Sequence, residues 1–175
     1  MTDILTNTGV IIDPINTADV FGGRFEELFR QQLEPLYGDQ SSALSRIANG
    51  EDRTAYVIGC TANPLGVLVI KDTVTTEEYK AVTVRGVEIK TLTLFNPDQN
   101  SGRGLASRLI EKAVGHCQEI DPESPIFVTV ASDKPESRAF FTKHGFKIVT
   151  EVNGAYRIDN AEAVMVADAK RIIEC

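Results

Sequence analysis

The residues best suited to chemistry in this chain form a glycine-containing loop at positions 101–106, with the sequence Ser-Gly-Arg-Gly-Leu-Ala. The loop follows an apolar strand predicted at residues 87–95, and residues 102–106 are predicted to open a helix. The first N–H groups of a helix lack intrahelical partners and lie at its positive dipole end, so they can hold phosphate oxygens. Small side chains leave room for a phosphate to approach. This order therefore predicts a pyrophosphate-binding site.

Other phosphate-binding loops fit this sequence poorly. A nucleoside-triphosphatase loop requires Gly-Lys followed by Ser or Thr, whereas Gly104 precedes Leu105 and Ala106. A dinucleotide-binding fold places its glycines directly after the first strand of a β-α-β unit, but here residues 96–101 intervene. Because a glycine pair alone is more often an ordinary turn, a second motif is needed to assign the loop.

Hydrophobic periodicity predicts the elements that position the loop. Residues 105–117 carry an apolar stripe at helical spacing, and the apolar run at residues 126–130 predicts a central strand. The next helix is predicted to begin at a capping box formed by Asp133 and Glu136 and to end at Gly145.

The N-terminal half is predicted to form two amphipathic helices and an antiparallel hairpin. Aromatic residues at helical spacing, including Phe21, Phe25 and Phe29, predict the first helix over residues 17–36. Residues 73–80 are polar and charged, so they are predicted to form a loop. The other predicted elements are a short helix around residues 43–47 and strands at residues 10–12, 56–58, 67–70, 146–152 and 163–166.

The composition limits the class of protein. With 175 residues, 42% of them hydrophobic, the chain suffices for one sizeable core, so we expect a single domain over residues 1–175. The formal charge of −7 argues against general nucleic-acid affinity. No apolar run approaches the roughly 20 residues that span a bilayer, and the N-terminus lacks the basic start of a secretory signal. Three cysteines without paired spacing fit a reducing compartment, so we expect a soluble, cytoplasmic protein with no membrane partner.

The histidines and cysteines give no sign of a metal site or a nucleophile. His116 and His144 have no acidic or cysteine partner at ligand spacing, so both are predicted to lie at the surface or at a helix end. Cys117 lies on an apolar helix stripe, and it is predicted, like Cys60, to be a small core residue.

Two motifs in this order resemble those of the Gcn5-related N-acetyltransferase (GNAT) superfamily. The first spans residues 101–110, from the glycine loop into the following helix, and the second spans residues 140–146, with the sequence Phe-Phe-Thr-Lys-His-Gly-Phe. The resemblance covers the whole order of elements. It implies a mixed α/β (α+β) fold, with a twisted, mostly antiparallel sheet of six or seven strands flanked by about four helices.

The coenzyme A loop of this superfamily has Arg or Gln, two residues, Gly, one residue, and then Gly or Ala. Two registers fit this chain, one beginning at Gln99 and the other at Ser101. The second, in which Gly104 and Ala106 take the two small-residue positions, agrees better with the residues that follow. It places a serine where Arg or Gln is usual and adds one residue to the preceding turn. Arg103 can still offer a cation to a phosphate.

The resemblance implies acetyl-CoA as the acyl donor, with direct attack by an acceptor amine in a ternary complex. The strand ending at Leu94 and Phe95 would hydrogen-bond the pantetheine arm and direct a backbone N–H at the thioester oxygen. Such a preorganised donor contributes ~3 kcal/mol to the transition state. The residues implied to bind the cofactor are Leu94, Phe95, Ser101, Gly102, Arg103, Gly104, Leu105, Ala106, Ser107, Ser137, Phe140 and Phe141.

Transfer to an amine also needs a base or a chain of waters to remove a proton, because an ammonium group has no lone pair for attack. Glu88, on the strand before the loop, is our candidate for this catalytic base. The alternative is an exposed strand carboxylate that pairs with Lys90 or Arg85.

Phe141 departs from the superfamily pattern, because many members have a tyrosine there whose hydroxyl can protonate the departing thiolate. A thiolate is a fair leaving group, with a thiol pKa near ~8.5, so the loss of this acid need not abolish transfer. The ring is expected to wall the thioester channel. Candidate replacement hydroxyls are those of Ser132, Ser137 and Tyr156.

The sequence leaves the acceptor and the oligomeric state open. The acceptor amine could belong to a small molecule, a protein or an aminoacylated RNA, and a homodimer could form through an exposed strand in residues 146–166. A non-catalytic acyl-CoA-binding or protein-interaction module of the same fold is the alternative to an enzyme. The altered loop and Phe141 motivate that alternative.

Overall fold

Seven strands form one sheet in the computed structural model, which describes residues 10–80, 82–154 and 159–172. The order across the sheet is β1-β2-β3-β4-β5-β7-β6, and every neighbouring pair is antiparallel except β4 and β5. This confirms the predicted sheet of six or seven mostly antiparallel strands. The strands are β1 (Ile12–Pro14), β2 (Arg53–Cys60), β3 (Asn63–Tyr79), β4 (Val82–Leu94), β5 (Ile126–Ala131), β6 (Lys147–Asn153) and β7 (Ala161–Ala167).

Four helices of nine residues or more accompany the sheet within the described ranges, in agreement with the expected number. Two further helices are single turns, and a 3₁₀ turn at Thr17–Asp19 precedes the first helix. The helices are α1 (Arg24–Tyr37), α2 (Ser41–Asn49), α3 (Pro97–Asn100), α4 (Leu105–Ile120), α5 (Pro135–Lys143) and α6 (Ala169–Ile172).

The two faces of the sheet carry different hydrophobic cores. One face packs against α4 and α6, and Val87 and Ile89 of β4 belong to this main core. The other face of β2, β3 and β4 packs against α1 and α2, where Phe25 and Phe95 meet edge to face. Because side chains alternate along a strand, Glu88 lies on the α1 side of the sheet, opposite α4.

The parallel strands β4 and β5 pair over a short stretch and then separate. Val87–Ile89 pairs with residues 126–128, and no further pairing joins the two strands among the described residues. Gly86 fixes the base of this opening, because a Cβ there would lie 2.5 Å from the carbonyl oxygen of Pro125. We call the gap between residues 90–94 of β4 and residues 129–132 after the paired part of β5 the splay.

A bulge in β4 marks the place where the splay begins. Val69 of β3 lies opposite Thr91, whereas the next residue, Ile70, lies opposite Ile89, so Lys90 is an extra residue in β4. The bulge shifts the alternation of the strand. As a result Leu92, three residues after Ile89, packs against the same core as Ile89.

Two local predictions for the strands and helix starts are wrong. Residues 73–80 were predicted to be a loop, but β3 continues to Tyr79 and pairs with the start of β4, from Tyr79 with Val82 to Val74 with Val87. The side chains of residues 73–80 are all exposed or half-buried, so this part of the strand can be polar. The capping box at Asp133 also does not form, because α5 begins at Pro135 with Lys134 at the N-cap and without a side-chain cap.

The predicted first helix is divided in two. Gly22 has a φ of +77°, which no helical residue adopts, and it separates the 3₁₀ turn from α1. Its N–H donates to Glu26 Oε2 at 2.8 Å, so the glutamate carboxylate accepts a hydrogen bond from the backbone just before α1 begins. Phe21, predicted to lie on the apolar stripe, is exposed in this turn, whereas Phe25 and Phe29 are buried as expected.

Candidate active site

The glycine loop lies between α3 and the first turn of α4. Gly102 and Gly104 have left-handed backbones, with φ of +75° and +72°, and a Cβ built at either residue would meet nothing within 4 Å. Gly104 is the N-cap of α4 and offers no side chain, while its carbonyl accepts the first helical bond from Arg108 N at 3.2 Å. The N–H groups of residues 105–107 therefore have no intrahelical acceptor, in the geometry that binds phosphate oxygens.

Asn100 holds the approach to this loop, and the sequence analysis missed it. Its amide Nδ2 donates to the carbonyl oxygen of Phe95 at 2.6 Å, and its Oδ1 accepts from Arg103 at 2.9 Å. The side chain is buried although Gln99 and Ser101 on either side are exposed. The available signal was an asparagine between a strand and a glycine loop, because such residues often bond to nearby backbone. Arg103, expected to contact phosphate, is exposed beside the helix start.

The two sequence motifs meet at Ser107 and His144. Ser107 is in the first turn of α4, and its Oγ lies 3.0 Å from Nε2 of His144, the C-cap of α5. His144 Nδ1 lies 2.8 Å from the carbonyl oxygen of Phe140, and the centroids of the His144 and Phe140 rings are 4.4 Å apart. Since a carbonyl can only accept, Nδ1 donates to it, and Nε2 forms the second hydrogen bond of the ring with the Ser107 hydroxyl. His144 therefore lies at a helix end, as expected, and also positions Ser107.

The other predicted cofactor residues of α5 have different environments. Phe141 is buried in the main core, with its ring centroid 5.3 Å from that of Phe140 and 5.1 Å from that of Phe146. Phe140 is half-buried between Phe141 and His144, and Ser137 is exposed in the first turn of α5. The position of the usual tyrosine thus holds a packed ring without a hydroxyl.

The backbone of β4 offers hydrogen-bond donors to the splay. The N–H of Phe95 donates to the carbonyl oxygen of Leu65 at 2.9 Å, so it is not available to a ligand. In an antiparallel pair the N–H groups of successive residues point alternately towards the partner strand and away from it. Because the N–H of Phe95 points towards β3, those of Leu92 and Leu94 point away from β3, towards the splay. Of the two predicted strand residues, Leu94 thus faces the splay and Phe95 does not. Leu92, which faces it too, was not predicted, because the bulge is invisible in the sequence.

Ser132 lies across the splay, directly after the last residue of β5. Its N–H donates to the carbonyl oxygen of Ala161 at 2.8 Å, while its Oγ is buried and has no hydrogen-bond partner among the described residues. This hydroxyl is one of the candidate replacements for the missing tyrosine. Tyr156, another of them, lies outside the described residues.

Glu88, the candidate base, lies at the foot of the splay. The residue is 2% exposed, and its Oε1 accepts a hydrogen bond from Lys90 Nζ at 2.8 Å. The alternative prediction that Glu88 pairs with Lys90 is therefore confirmed. The part of that prediction that placed the carboxylate at the exposed surface is wrong. A buried carboxylate beside an opening is a suitable base, because little water competes for the proton that it accepts.

The isolated histidine and cysteines lie away from the splay. His116, predicted to be at the surface, is buried, with Nδ1 2.9 Å from Tyr56 Oη and Nε2 3.1 Å from the carbonyl oxygen of Lys71. Cys117 is buried as predicted, and burial raises the pKa of its thiol to about 11, whereas Cys60 is exposed and that prediction is wrong. Within the described ranges no three His, Cys, Asp or Glu side chains group as a metal site would require.

Comparisons with known proteins show that this chain shares its fold with several solved structures. No family model and no curated protein matches the sequence. Arabidopsis thaliana NAA60 in complex with a bisubstrate analogue is 19% identical, with a TM-score of 0.72 over 90% of this chain and 97% of that chain. Aminoglycoside 6'-acetyltransferase type Ii is 17% identical, with a TM-score of 0.65 over 91% and 97%. A protein from Desulfovibrio desulfuricans assigned to the GNAT family is 10% identical, with a TM-score of 0.67 over 92% and 99%. The chain therefore has the fold of the GNAT superfamily.

Proposed function

We propose that this protein is an N-acetyltransferase that uses acetyl-CoA as its donor. The observation that carries the proposal is the presence of three features on β4 and at the start of the helix that follows it. These are the open start of α4 at Gly104, the unpaired edge of β4 at residues 92–94, and the buried carboxylate of Glu88. Structures of the same fold include NAA60 in complex with acetyl-CoA and an aminoglycoside 6'-N-acetyltransferase complexed with coenzyme A.

The donor would lie along the splay in an extended form. Its pyrophosphate would accept hydrogen bonds from the N–H groups of residues 105–107, with Arg103 near enough to the helix start to add a positive charge. Its pantetheine arm would follow residues 92–94 as an added strand, because an unpaired strand edge offers alternating donors and acceptors. This placement leaves the thioester near the bulge, at the foot of the splay.

The chemical step would be direct attack of an amine on the thioester carbonyl. Glu88 would take a proton from the acceptor ammonium, and the N–H of Leu92 would donate to the oxygen that becomes negatively charged. The thiolate would leave either directly or with a proton from a hydroxyl. Ser132 Oγ, at the end of β5, is buried and has no hydrogen-bond partner in the described part of the chain. Phe141 takes no part in this proton transfer.

The class of acceptor is an amine, and the acidic chain favours a cationic or neutral one. The net charge is −7. The names of proteins with this fold cover several acceptors, among them aminoglycosides and spermidine. Small molecules, proteins and aminoacylated RNA remain the three classes to test, and we place the activity in the cytoplasm. In the part of the chain that the structure describes, no helix has the length and apolarity needed to cross a membrane.

Two measurements, made one after the other, test the proposal. Calorimetric titration of the purified chain with coenzyme A and with acetyl-CoA measures donor binding, and a free-thiol assay then measures transfer to a panel of amines from all three classes. Binding with acceptor-dependent thiol release supports the enzyme. Binding without release from any acceptor supports the acyl-CoA-binding module, and the absence of binding rules out both.

A further inference from the structure

Lys90 occupies a special position in the fold. It is the extra residue of the β4 bulge, directly after Ile89, the last residue of β4 that pairs with β5. The bulge therefore places a lysine where the two strands part. Bulges are frequent next to functional sites because they redirect a side chain that regular pairing would place elsewhere.

The side chain of Lys90 lies on the candidate base. Its Nζ donates to Glu88 Oε1 at 2.8 Å, within the ~2.6–3.2 Å over which a base and its proton donor exchange a proton. The Glu88 side chain is 3% exposed and that of Lys90 22%, so the pair is largely shielded while the lysine still reaches the surface. An external acceptor ammonium would have to approach the same carboxylate.

We propose that Lys90 is itself an acetyl acceptor, so that the protein acetylates its own active site. This inference rests on the proposed function, because it requires acetyl-CoA in the splay. It assigns a modification site to a lysine that the transfer to external amines does not use. The substrate class is one that the cleft already takes, a primary amine next to a thioester.

The reaction balances with these groups alone. Glu88 takes one proton from the Lys90 ammonium, and the free amine attacks the thioester carbonyl carbon. The C–N bond forms as the C–S bond breaks, and the departing thiolate takes the second nitrogen proton to give coenzyme A. Glu88 then releases its proton to water. The products are an acetamide on Lys90, one free thiol and one proton.

Acetylation would change the site for later turnovers. The acetyl group adds two carbons to the side chain and removes its positive charge, so the ion pair with Glu88 is lost. An external acceptor ammonium then approaches the Glu88 carboxylate without the competing ammonium of Lys90. The modified chain is thus expected to differ from the unmodified chain in its rate with external acceptors.

The test uses the full chain and acetyl-CoA with an isotopically heavy acetyl group, without any added amine. Peptide mass spectrometry follows the label on Lys90 and on two exposed lysines, Lys143 and Lys147, which report unassisted chemical acetylation. Lys90 is expected to be labelled about 100-fold faster than either control, at a rate independent of protein concentration, because the amine and donor share one cleft. Thiol release should stop at one equivalent per chain.

Two variants make the result specific. Lys90→Arg keeps a positive charge but cannot take an acetyl group under these conditions, so the single equivalent of thiol should disappear. Glu88→Gln removes the proton acceptor, so labelling of Lys90 should slow by about 100-fold. Both variants are titrated with coenzyme A, so that an effect on donor binding is measured separately.

The outcomes separate this inference from the proposed function. If acetyl-CoA binds but Lys90 is labelled no faster than Lys143 and Lys147, self-acetylation is overturned and the N-acetyltransferase proposal stands. If labelling rises with protein concentration, one chain modifies another and the internal acceptor is likewise overturned. If the chain does not bind coenzyme A at all, both proposals fall together.

Discussion

Ser107 Oγ and His144 Nε2 lie 3.0 Å apart, although the two residues are 37 positions apart in the chain. The contact joins the first turn of α4 to the end of α5, and those are the elements that carry the two sequence motifs. Because the histidine is fixed in turn by the carbonyl oxygen of Phe140, the serine hydroxyl is directed at the ring. This arrangement holds the start of α4, where the phosphates are proposed to bind, against a second helix.

The first prediction follows from this contact. Ser107→Ala should lower the affinity for coenzyme A about fivefold and destabilise the fold by about 1 kcal/mol, because one hydrogen bond between the helices is lost. Calorimetric titration and urea unfolding measure the two effects. Ser45→Ala is the matched control, since Ser45 is exposed in α2 and has no place in the proposed site. Equal effects of the two substitutions would argue against a positioning role for Ser107.

Gly104 allows charge to be tested apart from backbone strain. Asn and Asp both tolerate the left-handed φ of +72° and have nearly the same shape, but only Asp is charged. Gly104→Asp should bind coenzyme A about 100-fold more weakly than Gly104→Asn, because a carboxylate near ~4 Å repels the pyrophosphate. Circular dichroism checks that both variants fold. Similar affinities for the two would place the phosphates elsewhere.

Asn100 should act on the loop without touching the donor. Asn100→Ala removes the bond to the Phe95 carbonyl and the acceptor of Arg103, and it leaves a buried backbone oxygen without its partner. We expect a loss of about 1–3 kcal/mol in unfolding free energy together with weaker coenzyme A binding. Gln99→Ala, at an exposed neighbour, should change neither quantity. A variant of Asn100 with full affinity would show that the loop does not need this tether.

The sequence predicted the fold well where long patterns repeat. The apolar stripe of α4 and the order of strands and helices follow from periodicity, and both are seen in the structure. Local signals failed where tertiary contacts decide. Residues 73–79 are mostly polar and yet form a strand, because they pair with β4 and none of these residues is fully buried. Because of the left-handed glycine at position 22, α1 begins at Arg24 and not at residue 17 as predicted.

The site was predicted less completely than the fold. Gly102, Gly104 and Ser107 do come together at the start of α4, because they are close in sequence. Asn100 and His144 act through contacts with Phe95 and Ser107 that only the folded chain creates. The bulge at Lys90 has no signature in the sequence, so the N–H direction of Leu92 could not be derived in advance. The pairing of Glu88 with Lys90 was foreseen as an alternative, but its burial was not.

The two described cysteines should differ in reactivity by far more than exposure alone suggests. Burial raises the pKa of the Cys117 thiol to about 11, so at pH 8 only about one part in a thousand is thiolate, the reactive form. Cys60 is exposed. We expect iodoacetamide to label Cys60 within minutes at pH 8 and Cys117 only after unfolding in urea, as read by peptide mass spectrometry. Rapid labelling of Cys117 in the native chain would contradict its buried position.

The raised pKa of Cys117 also predicts a pH dependence of stability. A thiol with a folded-state pKa above its unfolded value of 9.0 stabilises the folded state fully below that value, and this contribution is lost as pH rises towards about 11. The unfolding free energy should therefore fall between about pH 9 and 11. Cys117→Ala should show a smaller fall than the parent chain over that window, with other titrating groups common to both. An identical fall would assign the dependence to those other groups.

The last prediction concerns the base. Glu88→Gln removes the proton acceptor but keeps the size of the side chain, so turnover with an external amine should drop by about 100-fold while the dissociation constant for coenzyme A changes little. Raising the pH should partly restore the rate, because a larger fraction of the acceptor then arrives as the neutral amine. Glu78→Gln, at an exposed position of β3, is the matched control for the loss of one negative charge. If Glu88→Gln turns over at the parent rate with the parent pH profile, the acceptor proton leaves by another route, and the buried pair with Lys90 is structural.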